Sequence, residues 1–154
     1  MSPESARIAE RVARAYTRAH GLAAVLEGAT ATEAGWRPVS GQPTIAEIVG
    51  EVVDRCAWLT RALAPPAHLA GPPLPTGPLT AQAWEELRTE LARAFAACAE
   101  AVRGTDVSRW DEPVPGRPDR TWRELVDDLV VDAAHGAGQI TVLRRWYATQ
   151  DLAV

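Results

Sequence analysis

Four stretches of the chain repeat their apolar residues at helical spacing, and two of these open on a reciprocal capping signal. Thr44-Ile45-Ala46-Glu47 and Thr121-Trp122-Arg123-Glu124 both have the capping-box form. In it the Thr side chain accepts from the backbone N–H three residues on, and the Glu reaches back to the Thr N–H. Behind the first box, Ile45, Ile48, Val52, Leu59 and Leu63 share a face, and Pro65-Pro66 end the run. Behind the second, Leu125, Leu129, Ala133, Gly136, Ile140, Leu143 and Tyr147 do the same as far as about Ala148. An earlier stripe of Ile8, Val12, Ala15, Leu22 and Leu26 predicts a helix over 3–27, with Ser2 as cap, Pro3 in the first turn and Gly28 as terminator. A further stripe of Trp84, Leu87, Leu91, Phe95, Cys98 and Val102 predicts a helix over 80–103, stopped at Gly104. No segment shows the period-two alternation of a strand. The fold class that follows is all-α, a single-domain four-helix bundle over 1–154. Its long connections at 28–43 and 64–79 permit crossovers, and the Pro-rich 64–79 segment is expected to span the bundle end or cover a site.

Composition narrows the function classes. Sixteen basic residues are dispersed among 20 acidic ones, for a net charge of −4. With no basic stripe, nucleic acid is not an expected partner. No apolar run approaches a membrane span, so no membrane partner is expected either. The polar N-terminus has no signal-peptide core, which makes the cytoplasm the expected compartment. Cys56 and Cys98 lack metal or redox spacing and read as small buried hydrophobes. Most of the six Trp read as core and anchors, with Trp36 and Trp110, both in loops, as pocket-liners.

Two segments carry a family likeness. Trp36-Arg37-Pro38 through Pro43-Thr44-Ile45-Ala46-Glu47-Ile48-Val49-Gly50-Glu51 resembles the opening of the second helix in the DinB-like (YfiT-like) superfamily. Thr121-Trp122-Arg123-Glu124-Leu125, with Gly138-Gln139-Ile140-Thr141-Val142-Leu143-Arg144-Arg145, resembles that family's fourth helix. The resemblance implies a four-helix bundle, DinB/YfiT-like, in which many members hold a divalent metal on three His. It also implies the activity of some members, thiol-dependent transfer or isomerisation of the mycothiol or bacillithiol type. Ligands at i and i+4 on one helix and a third from a neighbour leave an open position on such a metal.

By the same resemblance the three ligand positions fall here on Glu51, Asp132 and Gly136. Gly136 has no donor, and two carboxylates make a harder and weaker site than three imidazoles. His135 lies one residue out of register and points off the inner face. Asp132 falls on the inner stripe and Arg55 one turn after Glu51, so Glu51, Arg55 and Asp132 read as an internal ion-pair group where the metal would sit. A metal site and solvent exposure are the alternatives. Gly136 reads either as a widened pocket or as close helix packing. Arg144-Arg145 suits the C-terminal end of the helix dipole. His20 and His68 carry no assigned role.

The functional expectation is a DinB-like protein with a degenerate metal site that binds a small molecule in a bundle-core pocket, without metal catalysis. The alternative is a metal-dependent thiol S-transferase or isomerase working through the carboxylates. No cofactor is expected, with a divalent Zn or Ni ion as the alternative. A second apolar row on the last helix, Val131, His135, Gly138, Val142 and Trp146, predicts a homodimer packed through that helix, with cover by the 64–79 loop as the alternative.

Overall fold

The computed structural model describes residues 2–64 and 77–150. It is mostly helical. Helix α1 spans Pro3–Thr17, α4 Ile45–Leu63, α5 Ala81–Arg103 and α6 Trp122–Gln150. Two five-residue helices, α2 (Leu22–Leu26) and α3 (Ala31–Gly35), lie between α1 and α4. Helix α5 packs against both α1 and α4, and α6 against the same two, so the ring order is α1, α5, α4, α6. The 18–44 and 104–121 connections therefore join helices that face each other across the bundle, whereas the 64–80 connection joins neighbours. That is not the neighbour-to-neighbour order of a simple up-down bundle. The expectation that the 64–79 segment covers a site falls mainly on 65–76, outside the described residues.

The start signals act as read. Ser2 accepts from the Ser5 N–H at 3.0 Å ahead of Pro3. In the first capping box the Thr44 hydroxyl accepts from the Glu47 N–H at 3.1 Å, and the Glu47 carboxylate accepts from the Thr44 N–H at 2.9 Å. The second box repeats this between Thr121 and Glu124 at 3.3 and 2.9 Å.

Two expectations are corrected. The first helix does not run to residue 27: it stops at Thr17, and His20 turns left-handed at φ 63°. Gly21 makes the break possible, because a Cβ there would lie 2.9 Å from the Arg18 carbonyl oxygen. Gly28 (φ 74°) does terminate a helix, the short α2. Second, a small antiparallel hairpin is present, with β1 (Pro113–Val114) paired to β2 (Arg117–Thr121). Its link is Pro115-Gly116, with Gly116 at φ 83°, the Pro-then-Gly sequence that suits a turn needing positive φ at its second central residue.

The seam between the helices is filled by Phe95, Leu91, Ile140, Val12, Val49 and Trp84, all at or near zero exposure. Buried indole N–H groups find acceptors: Trp84 donates to the Ala29 carbonyl at 2.8 Å and Trp110 to the Ser5 hydroxyl at 3.0 Å. Arg109 donates to the Leu63 and Ala62 carbonyls, satisfying the end of α4, and lies over the Trp122 ring. These contacts fix the position of the hairpin and of the start of α6.

Candidate functional site

A groove of about 420 Å³ opens between α4 and α6, with the β1–β2 hairpin at its end. Leu59, Leu125 and Leu129, each less than a tenth exposed, form its floor. Trp58, 42% exposed, forms a wall. The rim carries Asp54, Asp128 and Asp132 against Arg55 and Arg117. Spacing explains the arrangement: Asp54 and Trp58 stand one turn apart on α4, and Leu125, Asp128, Leu129 and Asp132 follow one another at i, i+3 and i+4 on α6.

Three of these charges are already engaged. Arg55 pairs with Asp132, and Asp128 with Arg120 from β2. The Arg117 guanidinium lies 5.6 Å from the centre of the Trp58 ring, within cation–π range. Asp54 has no ion-pair partner among the described residues.

The predicted site residues separate. Arg55 and Asp132 are brought together, but at the rim rather than inside the bundle, with side chains 53% and 37% exposed. Glu51 is solvent-exposed and takes no part in the pair. Gly136 is buried under α4: a Cβ there would lie 3.3 Å from Ile48 Cγ2 and 3.8 Å from Val52 Cγ2, so the missing side chain serves close helix packing and opens no pocket. Trp110 sits in the core at zero exposure because its N–H is held by Ser5, and it lines no groove. Trp36 packs edge-on against Trp146 and Tyr147. Large side chains fill the seam, and the groove that Arg55 and Asp132 line lies at the surface.

Sequence reasoning passed over Arg117 and Trp58, which meet only once the hairpin is in place. It also read Arg144 as a dipole partner. Arg144 instead pairs with the nearly buried Glu33 at 2.8 Å and donates to the Val25 and Glu27 carbonyls at 2.9 and 2.7 Å, tying α2 and α3 to α6.

The two thiols are sealed in the core. Burial pushes both up, Cys98 to about 11 and Cys56 further, so each is a neutral thiol at pH 7.

The sequence model of the DinB superfamily matches residues 14–138. The chain belongs to the DinB superfamily. No curated protein and no solved structure matches it significantly. The match covers the last turn of α1, all of α4 and α5, and α6 as far as residue 138.

The resemblance stated for this DinB-superfamily chain implies a divalent metal on three side chains of α4 and α6. The residues present do not fit that group. Gly136 supplies no donor, Asp132 is engaged by Arg55, and among the described residues no three His, Cys, Asp or Glu side chains converge. No helix of the described residues is long and apolar enough to cross a membrane.

Proposed function

We propose that this DinB-superfamily protein binds a small molecule in the α4–α6 groove and carries out no metal-dependent reaction there. The observation that supports the reading is the Arg55–Asp132 pair on the edge of a groove of about 420 Å³. The cation that balances the family-position carboxylate is a side chain, and the space beside it falls within the range of small-ligand pockets. The floor is apolar, as such pockets usually are, and the rim is charged.

The test is a two-part measurement on the purified full chain. Amide chemical shifts are followed during titration with a small-molecule fragment library, and metal content is measured by mass spectrometry. Shifts clustered at residues 54–59 and 117–132, with far less than one equivalent of Zn, Ni or Fe, are the expected result. Stoichiometric metal bound through Glu51 and Asp132 would overturn the metal-free reading. Metal-dependent conjugation of mycothiol or bacillithiol to an electrophile would establish the alternative, a thiol S-transferase.

We also infer a homodimer across α6. Val131 and Val142 are 64% and 60% exposed, and Gly138 has open space above it. A helix face left to water is normally charged. At about 100° per residue this face reads Glu124, Asp127 and Asp128 at its start, an apolar centre, and Arg145 towards its end. Set antiparallel on a copy of itself about Gly138, it places Arg145 of one helix opposite Val131 of the other, three residues (about 4.5 Å) along the axis from Asp128. Helix dipoles also favour that direction.

A further inference from the structure

The chemistry of the groove narrows what it can hold, and the following inference rests on the small-molecule reading above. Trp58 turns an exposed indole face into the groove, and that face already carries a cation, the Arg117 guanidinium at 5.6 Å. Arg117 is the first residue of β2, directly after the Pro115-Gly116 turn; it is solvent-exposed, and it makes no ion pair among the described residues. One turn before Trp58, Asp54 offers an exposed carboxylate with no ion-pair partner among the described residues. The remaining charges cancel, Asp132 with Arg55 and Asp128 with Arg120. What is left for a ligand is an aromatic face, one free carboxylate and a Leu floor. An aromatic face is electron-rich and attracts cations, whereas an anion would meet that face and the Asp54 carboxylate, with Arg117 alone of the groove's uncancelled charges in its favour.

We propose that the groove is a binding site for a small organic cation, an amine, amidine or guanidine carried on an apolar body. The cationic group sits over Trp58 with Asp54 as counter-ion, the apolar body lies on Leu59, Leu125 and Leu129, and Arg117 occupies the cation's place when the ligand is absent. No covalent step is involved.

The probes are benzamidine, its neutral counterpart benzamide and its anionic counterpart benzoate, titrated into isotope-labelled full-length protein at low salt. Benzamidine shifts the Trp58 indole N–H and the amides of 54–59 and 125–132, and the other two leave them in place. Trp58→Leu and Asp54→Asn each weaken benzamidine by about fivefold, the scale of one cation–π or exposed ion-pair contact. Arg117→Ala tightens it, because a competitor is removed. All three side chains are exposed, so the variants keep the fold, and a thermal melt of each confirms that.

Equal binding of benzamide, or binding of benzoate in place of benzamidine, overturns the ligand class and leaves the small-molecule reading intact. So does a silent groove with all three probes when library compounds do shift it. Weaker benzamidine binding in Arg117→Ala makes Arg117 a ligand contact and removes the stand-in. If neither probes nor library reach the groove, both readings fall together.

Discussion

Two Arg–carboxylate pairs in this protein carry opposite expectations because they sit at different depths. Arg55–Asp132 lies at a solvent-open rim, with side chains 53% and 37% exposed. Exposed pairs contribute little, typically under about 1 kcal/mol. Arg55→Met should therefore change unfolding free energy by less than about 1 kcal/mol in urea titration, far below the loss expected of a buried pair. Arg144–Glu33 is the contrast. Glu33 is only 10% exposed, and Arg144 also serves two backbone carbonyls. Arg144→Met leaves a buried carboxylate without its cation and should cost about 3 kcal/mol. If the two variants lose equal stability, depth is not what separates these pairs. The sequence pointed to Arg55 and Asp132 as partners because one face of each helix could be counted. It could not give their depth, which depends on how α4 and α6 lean on each other. Glu33 lies in a five-residue helix with no stripe of its own, so its pairing with Arg144, 111 positions away, left no local sign.

Helix starts were legible because their signals are local, and one of them also gives a pH dependence. Glu47 closes the capping box at α4 and pairs with Arg37. The Arg37 hydrogen bond, then the Thr44 N–H, hold its carboxyl below the ordinary value of 4.5. A lowered folded pKa stabilises the fold above the unfolded value, and that contribution is lost as pH falls through the folded one. Glu47→Gln should accordingly flatten the acid limb of the stability curve below about pH 4.5 and leave its shape near neutrality unchanged. Thr44→Ala should cost about 1 kcal/mol at all pH values, since it removes the N-cap oxygen. A Glu47→Gln variant with an unchanged acid limb would show that the box carries no proton linkage. Helix ends were harder to read. The 3–27 expectation followed an apolar stripe that α1 and α2 both continue, so the period carried straight through the break at 18–21. His20-Gly21 was the available sign, since a left-handed residue followed by a glycine under a carbonyl stops a helix. The hairpin escaped because β1 has two residues and β2 is mostly exposed, too short and too polar to alternate. Pro115-Gly116 between Val114 and Arg117 was its one local mark.

At the scale of the whole molecule, half of the large apolar side chains left exposed among the described residues fall on one helix. Val131, Val142 and Trp146 lie on 29-residue α6, against Trp58 on α4 and Val39 and Val107 outside the long helices. The ring order explains this. Helix α6 fills its inner face with Leu125, Leu129, Ala133, Gly136, Ile140 and Leu143 against α1 and α4, and a second row is left over. Beside that row a second groove, lined by Pro43, Ile48, His135, Gly138, Val142 and Trp146, leaves room for a side chain from outside. A two-fold contact about Gly138 would bury this row twice. Light scattering of the wild type at tens of micromolar should then give twice the chain mass, and Val142→Glu should return it to the monomer by placing two carboxylates near the axis. Gly138→Ala separates the interface from the fold. Its Cβ meets nothing within 4 Å inside one chain, so helix propensity alone should stabilise the isolated subunit by about 1 kcal/mol. In the dimer the same methyl would hold two backbones apart and weaken association. A variant that is more stable as a monomer and poorer as a dimer is the expected pair of results. Strictly monomeric wild type would remove the interface altogether, and a dimer indifferent to both substitutions would move it off α6.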